Sequence, residues 1–158
     1  MVKSLIASVG VFKGLEDAEL ELLEKNAKEE VLPTDTIIFK QGDVGDKMYL
    51  IVRGIIEIWR SEGHDIKGIR LARLRQGEIF GEMALFDKEP RSATAITSLA
   101  PETKMLVWDE KDLYQIIKNY PVSSSKILMS FLRNMSSRLR VANDAIHTLL
   151  RSNQYIGL

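Results

Sequence analysis

The stretch Phe80-Gly81-Glu82-Met83-Ala84-Leu85-Phe86-Asp87-Lys88-Glu89-Pro90-Arg91-Ser92-Ala93-Thr94-Ala95 sets an acid and an arginine nine residues apart around a short apolar turn. Gly81 permits close backbone approach. The residues after it can open a short helix, whose unpaired N–H groups favour an anion. Arg91 adds a permanent cation with a planar fork suited to two phosphate oxygens. Glu82 would repel a bare phosphate, but as a carboxylate it accepts well from hydroxyl donors. Together these residue types suit a small anionic ligand that also carries hydroxyls.

A cyclic nucleotide has both features, one phosphodiester charge and a free ribose 2′-hydroxyl. The F-G-E-M-A-L-F run followed by P-R-S-A-T resembles the phosphate-binding cassette of the cyclic nucleotide-binding domain family. That module is shared by catabolite-activator-type regulators, protein kinase regulatory subunits and gated channels. The resemblance implies that Glu82 takes the ribose hydroxyl and that Arg91 and Ser92 take the phosphate. Gly81 and the N–H groups of Met83, Ala84 and Ala93 complete the cradle. The ligand implied is cyclic AMP or cyclic GMP, with no cofactor and no metal. On this reading, replacing Arg91 cripples binding and leaves the fold intact. The competing reading is a surface turn carrying an ordinary Glu82–Arg91 ion pair.

Outward from the cassette, the period is two from Glu29 to Asp109. Strand-like runs at Thr36–Lys40, Lys47–Val52, Ile55–Ser61, Gly68–Leu74, Arg91–Ser98 and Lys104–Asp109 are β-branched and aromatic. Turn signals separate them at 33–35, 41–43, 53–54, 62–65 and 76–77. Many short strands at near-regular spacing predict an antiparallel sandwich or jelly roll. The placements of Gly42, Gly54 and Gly77 resemble the same family, which extends the likeness over Phe12 to Tyr120. It implies a mainly β fold, an antiparallel β-roll (double-stranded β-helix or jelly roll) with N-terminal helices and a long C-terminal helix. The expected division is 1–120 for the nucleotide-binding roll and 121–158 for a helix serving dimerisation and output. Strand alternation puts Ile56, Ile58, Ile69 and Leu71 on the inner face, with Ile58 and Leu71 as cavity-lining candidates.

Met1 to Phe12 reads as a short amphipathic helix and Glu16–Ala27 as a second, with acids in its first turn where the helix dipole favours them. Glu110–Asn119 is a third, stopped by Tyr120-Pro121. Pro121 suits the first turn of a last helix reaching about Asn153. In it Leu128, Leu132, Met135, Leu139, Ala142, Ile146 and Leu149 alternate gaps of four and three, a heptad seam. A strict 3.5-residue repeat favours pairing with a second copy over packing on the roll. The resemblance agrees, since bacterial regulators of the family dimerise through this helix. Their central helix also reaches the purine with two adjacent hydroxyl residues. Here those positions are Ala142 and Asn143, so Asn143 is the remaining base-contact candidate.

Apolar residues make up 45% and charged residues 28%, and 22 basic residues balance 22 acidic ones. A neutral chain has no charge reservoir for sequence-independent nucleic-acid binding. The basic residues of the last helix, Lys126, Arg133, Arg138, Arg140 and Arg151, read as a solvated face. No segment follows that helix to form a helix-turn-helix, so direct DNA binding is not expected. Cysteine is absent, and no apolar run approaches a bilayer span, so a cytoplasmic protein without membrane contact is expected. The two histidines, His64 and His147, have no metal-ligand spacing, which argues against a cupin-type metal enzyme. No G-x-S-x-G occurs, and Glu82 lacks an acid partner or nucleophile, so no catalytic residue is assigned. Trp59 and Trp108 could stack on a purine, but in strand-like runs they read first as packing residues, and Tyr155 as an aromatic cap or a frayed tail. Two alternatives stay open: a scaffold domain of the same fold joined through the seam, or the regulatory part of a longer regulator or channel. The output partner is not legible.

Overall fold

The period-two segments pair into two four-stranded antiparallel sheets. A computed structural model describes residues 2–13, 15–63 and 68–156, apart from the side chains of 2, 11 and 152–156. The strands are β1 (Lys28–Pro33), β2 (Ile37–Phe39), β3 (Lys47–Arg53), β4 (Ile55–Arg60), β5 (Ile69–Leu74), β6 (Ile79–Phe80), β7 (Thr94–Ser98) and β8 (Glu102–Asp109). One sheet runs β1-β8-β3-β6 and the other β2-β7-β4-β5. The helices are α1 (Val2–Ser8), α2 (Asp17–Lys25), α3 (Met83–Asp87), α4 (Glu110–Asn119) and α5 (Pro121–Ile156), with a 3-10 turn at Gly10–Phe12. This is the mainly β antiparallel roll with flanking helices that the family resemblance implies. His64, in the expected hairpin tip, lies outside the described residues.

The helix ends follow their local chemistry. Glu16 and Glu19 form a reciprocal capping box at the start of α2, with the Glu16 N–H donating to Glu19 Oε2 at 2.7 Å. Burial pushes the Glu19 carboxyl up, but the Glu16 N–H and the Lys126 ammonium at 2.9 Å outweigh it and hold it below the usual range. α4 starts on Glu110 and Asp112 and carries Lys118 in its last turn, both favourable to the helix dipole.

Two apolar cores result. One joins the helices to the outer side of the β3/β8 sheet through Ile6, Phe12, Leu23, Trp108, Ile116 and Phe131. Trp108 is fully buried there, with its Nε1–H donating to the Leu23 carbonyl at 2.8 Å. The other core fills the roll with Ile51, Ile56, Phe80, Met105 and Val107. It forms the floor under the cassette.

The inner face of β5 differs from the expected one. Ile56 opposes Leu74 and Ile58 opposes Ala72, and the register then shifts so that Trp59 opposes Arg70. Ala72 and Leu74 therefore face inward, while Leu71 is 55% and Ile69 72% exposed. Residues 69–74 carry apolar side chains at both parities, so alternation alone allowed either face. The charges decide it. Glu57 on β4 takes Arg70 Nη1 at 3.0 Å and Arg73 Nη2 at 2.8 Å on the outside of the sheet.

Candidate nucleotide site

Between the sheets, under α5, lies a cavity of about 480 Å³. Gly81, Glu82, Met83, Ala84, Arg91, Ser92 and Ala93, the residues proposed from sequence for ribose and phosphate, all line it. The cassette is held from below by the turn at 41–43. The Arg91 N–H donates to the Asp43 carbonyl and the Gly42 N–H to the Arg91 carbonyl, each at 2.8 Å. Gly81 has φ +75°, and a Cβ there would sit 2.8 Å from Arg91 Nη1. Gly45, which the sequence reading passed over, is closer still. A Cβ on it would lie 2.3 Å from Ala84 Cβ and 2.8 Å from Arg91 Nε.

Arg91 is only 5% exposed. Its Nη1 donates to the Gly81 carbonyl at 2.5 Å and its Nη2 to the Lys47 carbonyl at 2.7 Å. The guanidinium lies over the Phe39 ring at 4.2 Å from its centroid. Its buried Nε has no hydrogen-bond partner among the described residues. The fork is thus not held free for an anion, as sequence suggested. Two of its five N–H donors anchor backbone, and three remain. Burial pulls this guanidinium below its ordinary value, opposed by Tyr49 and the acids around it. Tyr49 in turn is pushed up to about 12 by its own desolvation.

Glu82 is 2% exposed and does not pair with Arg91. Its Oε1 accepts from Arg138 Nη1 at 2.8 Å, and Arg138 Nη2 donates to the Ile79 carbonyl at 2.6 Å. Burial raises the Glu82 carboxyl above the usual carboxylate range, with Arg138 and Arg91 pulling the other way. A carboxylate accepts at about four lone-pair sites, so capacity remains for a hydroxyl. The ordinary Glu82–Arg91 surface pair is not what the structure contains.

The cavity's remaining walls are largely aliphatic and aromatic. Ile58 contributes, as expected, together with Ala72, Leu74, Phe39, Phe80 and Val141. Leu71 does not line it, for the register reason given above. Asn143 is exposed and also off the wall. At 3.6 residues per turn, two positions past Val141 is a rotation of about 200°, the far side of the helix. Arg138 is the residue the sequence reading placed wrongly, on a solvated basic stripe. The signal for it was position, since it precedes Val141 and Ala142 by one helical turn. Trp59 and Trp108 do not line the cavity, and the Tyr155 side chain lies outside the described residues.

Residues 29–120 match the model of the cyclic nucleotide-binding domain, and the chain belongs to that family. It is 28% identical over 146 residues to the CRP-like cAMP-activated global transcriptional regulator of Mycobacterium tuberculosis, covering 92% of this chain and 62% of that protein. It is similar in structure to the catabolite activator protein of Thermus thermophilus, with TM-score 0.75, 29% identity and coverage of 89% and 62%. A cyclic nucleotide-binding domain from Methylobacillus flagellatus superposes with TM-score 0.78 at 28% identity, over 92% of this chain and 80% of that one. The family is a regulatory binding domain rather than an enzyme. The chain spans about six-tenths of the length of the first of these relatives, 62%. Among the described residues, no helix is long and apolar enough to cross a membrane.

Proposed function

We propose that the chain is a cyclic nucleotide sensor that takes cyclic AMP ahead of cyclic GMP and reports occupancy through α5. One observation carries this reading. A buried carboxylate and a buried guanidinium line the same cavity without pairing with each other. Arg138 and two carbonyls meet these charges only in part. Spare Glu82 lone pairs and three Arg91 N–H donors, the buried Nε among them, are left without a partner among the described residues. A cyclic nucleotide supplies those partners, with the ribose hydroxyl donating to Glu82 and the phosphodiester accepting from Arg91 and from cassette N–H groups.

The base would lie among Ile58, Ala72, Leu74 and Val141. An aliphatic seat buries polar edge groups without partners, at about 1–3 kcal/mol each. Guanine carries more of them than adenine, so the seat favours adenine by roughly tenfold or more. Relatives named for cyclic AMP support the same choice. α5 senses the ligand through Arg138, since a ribose hydroxyl on Glu82 changes what Arg138 holds. Contact that differs between two states is what shifts an equilibrium. A second connection runs from Phe86 on α3 to Phe131 on α5, with ring centroids 5.3 Å apart.

The seam supports a parallel homodimer as the reporting assembly. α5 buries Ile127 and Phe131 on the helical core, while Leu132, Leu139, Ile146 and Leu149 are 54–66% exposed. Calorimetric titration with cyclic AMP, cyclic GMP and 5′-AMP tests the binding reading. Saturable heat is expected for both cyclic nucleotides, tighter for cyclic AMP, and little for 5′-AMP. The absence of any cyclic nucleotide binding would overturn it.

A further inference from the structure

On the other side of α5, where it faces the N-terminal 3-10 turn, two hollows run end to end. The first, about 300 Å³, is walled by Lys13, Leu15, Lys126, Met129 and Arg133. The second, about 460 Å³, shares Arg133 and continues past Asn134 and Ser137 to Arg138. The charge along this trough is uneven in its commitments. Lys126 is spent on Glu16 at 3.2 Å and Glu19 at 2.9 Å, and Arg138 on Glu82. Lys13 and Arg133 have no ion-pair partner among the described residues, and both are exposed. Beside them sit Leu15 and the half-exposed Met129, a flexible apolar surface that re-packs easily against a partner.

We infer that this trough docks an extended acidic peptide segment of a partner protein, with apolar residues set between its acids. The dimensions agree. From Lys126 to Arg138 is twelve residues of helix, about 18 Å at 1.5 Å each. An extended strand rises about 3.3 Å per residue, so five or six residues fill the length. Two carboxylates meet Lys13 and Arg133, an apolar side chain lies on Leu15 and Met129, and Asn134 and Ser137 offer hydrogen bonds to the peptide backbone. Glu78 also lines the second hollow, so the uncommitted cations concentrate at the Lys13–Arg133 end, and that end selects an acidic segment by charge, chiefly through the association rate. Arg138 and Glu78 close the far end, and both also line the nucleotide cavity. Docking here needs no nucleotide in the cavity.

Fluorescence anisotropy of the full chain with a labelled Glu-Leu-Glu-Glu-Leu-Glu hexapeptide tests the assignment. Saturable binding is expected at low ionic strength, weakening as salt rises. The matching Lys-Leu hexapeptide should not bind. Lys13→Glu combined with Arg133→Glu should weaken binding by about tenfold or more, and Arg133→Gln by less. Both side chains are exposed and unpaired, so wild-type melting temperatures are expected and separate docking from folding. Absence of saturable binding, equal binding to the charge-reversed variant, or equal competition by a short DNA duplex would each overturn the inference.

Discussion

Arg91→Ala tests the site and the fold together, because this side chain serves both. The perturbation removes the donors to the Gly81 and Lys47 carbonyls, at 2.5 Å and 2.7 Å, and the cation over Phe39 at 4.2 Å. A hydrogen bond from a charged donor contributes about 1.5–3 kcal/mol, and a desolvated cation–π contact up to about 2. Water entering the cavity will satisfy part of what is lost, so a net destabilisation of about 3 kcal/mol is expected. For a domain of this size that lowers Tm by roughly 6–12 °C. The variant is expected to keep its fold but at reduced stability, a cost that the carbonyl contacts add to the binding role read from sequence. Binding loses a charge-assisted, desolvated contact, about 2–5 kcal/mol, or roughly 30-fold to several-thousand-fold in Kd. Thermal melts and calorimetry on the same preparation separate the two effects, titrating well below the variant's Tm. Arg91→Lys is the companion variant. It keeps the charge but not the fork, so it should recover part of the affinity and less of the stability. An unchanged Tm would refute the carbonyl anchoring, and wild-type affinity would refute the phosphate assignment.

Gly45→Ala puts a methyl 2.3 Å from Ala84 Cβ and 2.8 Å from Arg91 Nε, so it should cost about 1–3 kcal/mol in a urea titration and weaken nucleotide binding as the cassette shifts. Leu139→Glu places like charges across the seam, and light scattering should report monomers where wild type is dimeric; a monomeric wild type at tens of micromolar would remove the dimer. Glu57 is held below the usual carboxylate range, burial being outweighed by Arg73 and Arg70. A depressed folded value means its stabilisation is present above the ordinary 4.5 and lost as pH falls through the lower folded value, so melts of Glu57→Gln should show a shallower acid slope than wild type. Glu82 is displaced the other way, its folded value raised by burial, so it takes up a proton before an ordinary carboxylate. Cyclic nucleotide affinity should start to fall at a pH above 4.5 as the charged acceptor is lost, and Glu82→Gln should flatten that dependence.

The fold was legible where one physical signal dominated. Strand runs showed as period two, helix starts as acids and capping residues, and the break at Tyr120-Pro121 as a steric consequence of proline. The boundaries of α4 were readable to the residue because Glu110 follows the strand and Pro121 ends it. β5 was not readable, since Ile69, Leu71, Ala72 and Leu74 offer two apolar parities and only the outward demand of Glu57, Arg70 and Arg73 chooses between them. β1 and the two-residue β6 escaped for another reason. Lys28–Pro33 carries charge and ends on proline, and Ile79–Phe80 is too short to show a period.

The cassette could be read because its acid, glycine and arginine are close in sequence and their chemistry is local. Arg138 could not, because its role is fixed by how α5 lies on the roll. That helix carries three jobs on three faces. Ile127 and Phe131 bind it to the helical core, Leu132, Leu139 and Ile146 form an exposed seam, and Arg138 with Val141 reaches the cavity. In sequence the seam is the strongest periodicity, and it masks the other two. A heptad drifts about 20° per repeat against a straight helix, so the seam and the roll-facing stripe exchange neighbours along its length. The first turns therefore pack on the protein, and the later ones face outward. Arg138 lies where the two regimes meet, past the core-packed turns, with its guanidinium on Glu82.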